Sequence, residues 1–315
     1  MNPIVLVTGG GGFIGSHTVE ALVHHGGYGV RVLDNFSTGH RHNLEHLASD
    51  IELVEGDVRD METVEEAVRG TSAILHLAAL PSVPRSVKAP ITSNDVNAGG
   101  TLKLLSAAHR AGVARVVLAS SSSIYGANQS LPKTEGMLPA PVSPYAASKL
   151  AAEHYIGVFA RTYGLETLAL RYFNVFGPRQ DPKSQYSGVV AKFMTAALLS
   201  RTCTVFGDGQ QSRDFTYVEN VVAANLAALR ATGLCGQAVN VACGSASTVN
   251  DLLGAISSAL GSELDLEFQP SRTGDVPHSL ADISAARELL GYEPTVSFLE
   301  GVGRTLAWYE GLLER

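Results

Sequence analysis

Thr8-Gly9-Gly10-Gly11-Gly12-Phe13-Ile14-Gly15 stands between two stretches of opposite character. Before it, Ile4-Val5-Leu6-Val7 is a short apolar, β-branched run of the kind a buried parallel strand uses. After it, Ile14, Val19, Leu22 and Val23 recur at helical spacing through His25. The glycines therefore lie on a strand-to-helix turn. A helix N-terminus presents unpaired N–H groups and about half a unit of positive charge, which suits a pyrophosphate. Gly9-x-x-Gly12-x-x-Gly15 departs from the plain dinucleotide fingerprint by one residue in its first gap. The three roles still have occupants: a tight turn, backbone approach to phosphate, and close helix–strand packing. A glycine-rich turn with no ligand is the alternative for this loop taken alone.

Outward from the loop, strand and helix signals alternate. Val30–Leu33, Ile51–Val54, Ala73–Ala79, Arg115–Ala119 and Thr167–Arg171 read as further strands. Met61–Val68, 93–111 and 143–163 read as helices. Such alternation implies right-handed crossovers and a doubly wound parallel (Rossmann) α/β sheet. After Phe173 the pattern changes to shorter elements between loops rich in Gly, Pro, Asp and Gln. The expected organisation is a nucleotide-binding domain over 1–173 and a smaller, interleaved α/β substrate lobe over 174–315. The chain is expected to return to the first domain around 214–242.

The 315 residues suffice for a large core, and 45% hydrophobic with 17% charged residues describes a globular chain. A net charge of −7 offers nothing to nucleic acid or an anionic membrane, so positive contacts to an anionic ligand must be local. Cys203, Cys235 and Cys243 have neither metal-ligand spacing nor an even count, which suits reduced thiols in a cytoplasmic protein, and no metal site is expected. No signal peptide is visible, and no apolar run reaches the ~18 residues of a membrane span.

Asp34 follows the second strand, 19 residues after Gly15. A carboxylate there can accept both ribose hydroxyls and repel a 2′-phosphate, favouring NAD over NADP. The competing reading is a turn aspartate before Asn35. Asp57, at the end of the third strand, suits either the adenine amino group or a helix cap for the segment near Asp60, and the residues do not choose. Tyr145 and Lys149 are four apart, hence on one helical face. A free tyrosine titrates near 10. An ammonium one turn away stabilises its phenolate and makes it a usable base. Such pairs are commonly just exposed, but this one follows the fifth strand of a dinucleotide fold. Ser120–Ser123 lies where open α/β sheets bind ligands. One of these hydroxyls could hold a substrate hydroxyl beside Tyr145, or all could serve a turn. Spacing does not choose among them.

Taken together, Thr8–Gly15, Asp34-Asn35-Phe36-Ser37-Thr38-Gly39, Gly56-Asp57, His76-Leu77-Ala78-Ala79, Ser120–Gly126 and Tyr145-x-x-x-Lys149 resemble the extended short-chain dehydrogenase/reductase family. Within it the chain is similar to the UDP-sugar 4-epimerases. The likeness continues through Arg171–Gln180, Arg213–Val218 and Arg272-Thr273-Gly274-Asp275. It implies bound NAD and a UDP-sugar substrate, inverted at C4 through a 4-keto intermediate. Ser121 matches the catalytic Ser/Thr, Tyr145 the base, and Lys149 its activator and ribose ligand. Around the cofactor the resemblance places Gly9, Gly12, Phe13, Ile14, Gly15, Asp34, Asn35, Ser37, Gly39, Asp57 and Val58. Leu77, Ala78, Ala79, Asn97 and Tyr172 complete that set. Around the substrate it places Arg85, Ser122, Ser123, Asn174, Phe206, Arg213, Arg272, Asp275 and Ser279. Asn174 and Arg213 match diphosphate ligands, Arg272 a phosphate contact, Asp275 a ribose contact, and Phe206 the uracil platform.

Related 4,6-dehydratases carry an Asp-Glu pair where this chain has Ser122 and Ser123, which argues against dehydration. Decarboxylating relatives place Glu at the second of these positions. A non-catalytic dinucleotide-binding protein is the other class to weigh, but such proteins usually lose the Tyr or Lys that is kept here. Ser279 matches a gate that is bulky in enzymes restricted to UDP-glucose and UDP-galactose, so room for N-acetylated sugars is implied. A UDP-glucuronate 4-epimerase is the alternative. It needs a cation near C6, for which Arg85 and Lys183 are candidates, but the position matching a carboxylate-binding arginine is Asp181. Helices near 93–111 and 145–163 carry Ala107, Ala108, Ala146, Ala147, Ala151, Ala152 and Tyr155 beyond one core face. In the family such helices pair across a dimer, so a homodimer is expected.

Overall fold

Val5, Leu6 and Val7 are fully buried, because their strand is covered on both faces and sits inside a parallel sheet. The structure is a computed structural model, and it describes residues 2–25, 27–182, 188–271 and 277–313. Its strands are β1 (Ile4–Thr8), β2 (Gly29–Asp34), β3 (Ile51–Glu55), β4 (Ala73–His76), β5 (Arg115–Ser121), β6 (Glu166–Tyr172), β7 (Val175–Phe176), β8 (Cys203–Phe206), β9 (Ser212–Arg213), β10 (Thr216–Tyr217), β11 (Gln237–Val241), β12 (Ser247–Thr248) and β13 (Leu266–Gln269). Its helices are α1 (Phe13–His25), α2 (Met61–Val68), α3 (Val83–Lys88), α4 (Pro90–Asn94), α5 (Gly100–Arg110), α6 (Pro144–Tyr163), α7 (Val189–Leu198), α8 (Val218–Ala228), α9 (Val249–Leu260), α10 (Ser284–Leu290) and α11 (Phe298–Leu313).

Among the described residues, seven strands form one parallel sheet in the order β3-β2-β1-β4-β5-β6-β11. The order reverses between β1 and β4, which places a ligand crevice outside the carboxyl ends of those two strands. On one face, Val19 and Leu22 of α1 pack with Val221 and Ala224 of α8. On the other, Val64 of α2, Leu104 of α5 and Ile156 of α6 close a second core. A third core, around Phe176, Phe193, Phe215 and Leu252, belongs to the later segments. Local signals agree with these elements. Ser143 caps α6 by accepting from the Ala146 N–H, Pro144 opens the helix, and Gly164 ends it at φ 68°.

Two elements differ from their sequence reading. The fourth strand stops at His76, because Ala78 N–H turns to the Thr8 hydroxyl at 3.2 Å. The expected helix over 93–111 is three pieces: α4, a π-helical turn at Asp95–Gly99, and α5. Asn97 occupies that turn, where its Oδ1 accepts the Leu80 N–H at 2.8 Å and its Nδ2 donates to Ser148 Oγ at 3.0 Å. A widened turn at a functional position is where π-bulges concentrate. Ala107, Ala108, Ala146 and Ala152 are buried within the molecule's own core, so they are not available to a second subunit as the sequence reading had them. The exposed apolar residues of α5 and α6 are Leu102, Ala147, Val158 and Tyr163, interspersed with exposed Lys103, His109, Arg110, His154 and Arg161.

The later segments are tied back to the sheet domain. His17 of α1 bonds the Pro178 carbonyl at 2.9 Å, and Arg179 pairs with Glu20 at 2.6 Å. Asp214 is buried and accepts the N–H groups of Cys243, Gly244 and Ala281, joining three distant stretches, and its burial pushes its carboxyl up to about 6.

Candidate active site

The glycine loop follows β1 and runs into α1. A Cβ on Gly15 would lie 2.0 Å from the Gly9 carbonyl oxygen, and one on Gly9 would lie 2.7 Å from Ala78 N. Both positions need glycine because backbone approaches them closely. A Cβ on Gly12 would meet only Gly9 O, at 3.2 Å, so that glycine faces open space. The first turn of α1 carries no acidic residue to quench its positive end. Gly39 lies against Gly11, where a Cβ would come within 2.7 Å of backbone. Asp34 ends β2 with Oδ2 accepting the Gly11 N–H and Oδ1 the Phe36 N–H, each at 2.8 Å. Burial pushes the Asp34 carboxyl up, and these two N–H groups pull it back. Each oxygen keeps a lone pair for a hydroxyl. Asn35 accepts the Ser37 N–H and donates to Asp57 at 2.8 Å. Asp57 is held down to about 2, first by its bonds to Arg59. It does not cap α2; Asp60 does, accepting from Glu62 N–H. Val58 is buried against Gly100. These features form an open cradle with a carboxylate at its far strand, which fits a dinucleotide.

At the carboxyl end of β5 the four serines separate into different roles. Ser121 is the serine whose hydroxyl acts on the Tyr145 phenol, and its Oγ also accepts the Ser123 N–H. Ser120 Oγ instead donates to Glu153 at 2.5 Å. Ser123 Oγ is buried with no hydrogen-bond partner among the described residues. Burial pushes the Tyr145 phenol up, and the Ser121 hydroxyl pulls it back. Lys149 is buried one turn along α6 and donates to the Ala119 carbonyl at 2.9 Å. Burial pushes its ammonium down to about 8, against the pull of Glu153. His76, at the end of β4, bonds Thr8 Oγ1 at 2.7 Å and Thr101 Oγ1 at 3.0 Å. Burial, then the Lys149 charge, pushes it down to about 3, so it is neutral.

A cavity of about 700 Å³ is lined by the later segments, from Asn174 to Gln269, and it brings Asn174, Phe206 and Arg213 together. Asn174 adopts φ 36° and donates to the Asp214 carbonyl at 3.0 Å. Arg213, on β9, is oriented by the Ser212 and Pro277 carbonyls at 2.9 and 3.1 Å. Ser279 is half-buried, its N–H bonded to Ser212 O at 3.0 Å. Arg85 lies on α3, capped by Ser82. Leu77, Ala78 and Ala79 follow β4 against Gly9. The Tyr172 hydroxyl is spent on Asn225 at 2.6 Å, and its ring is buried in the core. Arg272, Asp275 and Lys183 lie outside the described residues. The same cavity holds Lys192 and Gln211, which the sequence reading passed over. Lys192 had a signal: it is the lone charge in the apolar stretch Val189–Leu198.

A switch-point glycine cradle with an acidic residue after β2, and a Ser–Tyr–Lys grouping after β5, is the arrangement of the extended short-chain dehydrogenases/reductases. The chain belongs to the NAD dependent epimerase/dehydratase family, whose match spans residues 5–242. A UDP-glucose 4-epimerase of Mycolicibacterium smegmatis is 41% identical over 308 residues, covering 96% of this chain and 97% of its own. A UDP-N-acetylglucosamine 4-epimerase of Methanobrevibacter ruminantium, solved with UDP-N-acetylmuramic acid, superposes with TM-score 0.94 at 39% identity over 99% of both chains. A UDP-glucose 4-epimerase of Thermus thermophilus, solved in complex with NAD, superposes with TM-score 0.88 at 39% identity, covering 98% and 99%.

Proposed function

We propose that the protein is an NAD-dependent UDP-sugar 4-epimerase that inverts C4 of a UDP-hexose through a 4-keto sugar. The observation that carries this reading is the grouping of Ser121, the Tyr145 phenol it acts on and buried Lys149 at the carboxyl end of β5, with hydroxyls rather than carboxylates at 122 and 123. NAD would be held by Gly9, Gly12 and Gly15, by Asp34 and Asn35, by Leu77–Ala79 and by Lys149; when bound it supplies a hydride acceptor for C4 and returns the hydride to the opposite face. Tyr145 Oη takes the proton of the C4 hydroxyl and later gives it back. Ser121 Oγ holds the same oxygen in line. The Lys149 ammonium lowers the cost of the phenolate. Asn174, Arg213 and Phe206 anchor the UDP end, with Arg272 and Asp275 assigned there by resemblance alone. That anchor stays in place while the sugar presents its other face.

The sugar is assigned as glucose/galactose type with tolerance of an N-acetyl group, since Ser279 is small. A uronate fits less well, because Asp181 stands where a cation would be useful and lies 3.6 Å from His40. A homodimer through the exposed sides of α5 and α6, and a cytoplasmic setting that keeps Cys203, Cys235 and Cys243 reduced, complete the proposal. Among the described residues no helix is long and apolar enough to cross a membrane.

The test is C4 epimerisation of UDP-galactose, UDP-N-acetylgalactosamine and UDP-glucuronate by the purified protein, followed by NMR and compared by kcat/KM. Turnover of the first two supports the reading. Dominant uronate turnover moves the assignment to the alternative, and no C4 epimer from any of them sinks it.

A further inference from the structure

Glu153 is a buried carboxylate that none of the steps above uses. It lies on α6 one turn beyond Lys149 and two turns beyond Tyr145, so the three side chains share one face. Its side chain is 8% exposed. Oε1 accepts from Ser120 Oγ at 2.5 Å and from Arg171 Nε at 3.0 Å; Oε2 accepts from Arg171 Nη2 at 2.8 Å. Arg171, on β6, also donates to the Tyr125 hydroxyl at 2.9 Å. That hydroxyl donates to Asn240 at 2.7 Å. One carboxylate thus ties α6 to β6 and to the residue just before Ser121.

Lys149 has few charged or titratable neighbours. Its own helix supplies Tyr145 and Glu153, β6 supplies Arg171, and β4 supplies His76. From the other elements packed on α6, Lys88, Asp95, Lys103, His109 and Arg110 are exposed, Arg85, Arg115 and Glu166 are half-buried, and Tyr125 is a buried phenol bonded to Arg171. Glu153 is therefore the one buried negative charge in the group.

We propose that Glu153 is a positioning residue that sets the pH range of the Tyr145–Lys149 pair, its locked charge keeping both groups protonated to higher pH than their buried setting alone would allow. The inference rests on the reading of Tyr145 as base and Lys149 as its activator. The opposing pulls of burial and Glu153 on the Lys149 ammonium agree with it. Removing the carboxylate leaves Arg171 as an uncompensated buried cation, and a more positive site loses protons sooner.

Two readouts on the NAD-bound enzyme test this: the pH profile of kcat, and the ultraviolet titration of the Tyr145 phenolate, taken as the difference from Tyr145→Phe. Glu153→Gln should move both limbs of the profile, and the phenolate titration, to lower pH by about one unit or more. Glu153→Asp keeps the charge and should hold the limbs near their wild-type pH even if kcat falls. If Glu153→Gln does not fold, the double variant Glu153→Gln/Arg171→Met leaves no lone buried charge and should show a smaller shift in the same direction. Lowered kcat with unmoved limbs and an unmoved phenolate titration overturns the proposal and leaves Glu153 a packing residue. The phenolate titration needs no turnover, so an inactive wild type would defeat the epimerase reading without deciding this one.

Discussion

His76 has both ring nitrogens bonded to threonine hydroxyls inside the sheet domain, beside the Lys149 ammonium. Its neutral form is favoured in the fold, at about 3, against about 6.5 in an unfolded chain. The resulting stability is fully present above pH 6.5 and is lost as pH falls from there toward 3, at about 1.4 kcal/mol per unit. The His76 imidazole resonance should stay fixed between pH 8 and 5; a titration inside that window contradicts the burial argument. At Tyr145, replacement by Phe removes the proton acceptor and little bulk. We expect kcat to fall by about 10²–10⁴ with the dissociation constant of the UDP-sugar within a few-fold of wild type. Weakened binding with unchanged kcat would assign Tyr145 to substrate holding instead. At Ser279, replacement by Tyr should remove N-acetylhexosamine turnover and spare UDP-galactose, and unchanged N-acetyl turnover would defeat the gate.

Among elements, the glycine turn offers a contrast within one loop. A Cβ at Gly15 strikes the Gly9 carbonyl at 2.0 Å, whereas one at Gly12 meets a single atom at 3.2 Å and otherwise points to open space. Gly15→Ala should therefore lower the Tm of the NAD-free protein. Gly12→Ala should change that Tm far less while weakening NAD binding at least about tenfold, since a methyl group would occupy the phosphate approach. Equal effects of the two on Tm would contradict the division of roles. The turn, β2 and α6 were legible in sequence because each depends on near neighbours. The π-helical turn at Asp95–Gly99 was not, because its cause is a bond from Asn97 to Leu80, 17 residues away across a loop. Asp57 is a similar case. Its carboxylate answers to Arg59 and Asn35, not to the helix it precedes, and the latter partner lies 22 residues away, just after β2.

For the whole molecule, α5 and α6 pack on each other and leave Leu102 of α5 exposed, with Ala147 and Val158 exposed on one side of α6. Such a face is what a second copy would cover. Light scattering should give about twice the 33.1 kDa chain mass, and Val158→Glu should reduce it to the monomer without loss of helicity. A wild-type mass of one chain refutes the dimer. The amino-acid sequence by itself determined the alternating α/β plan, the phosphate turn, the acidic residue after the second strand and the Tyr–Lys pair. Each is written in residues a few positions apart, where helical and strand periodicity apply directly. Only the tertiary structure decided which serine meets Tyr145, that Ser120 serves Glu153 instead, and that Arg171 locks that carboxylate beside Lys149. Those contacts join residues 18 to 33 positions apart on separate elements. They exist because parallel crossovers bring the carboxyl ends of β5 and β6 under one face of α6, a proximity no local pattern encodes.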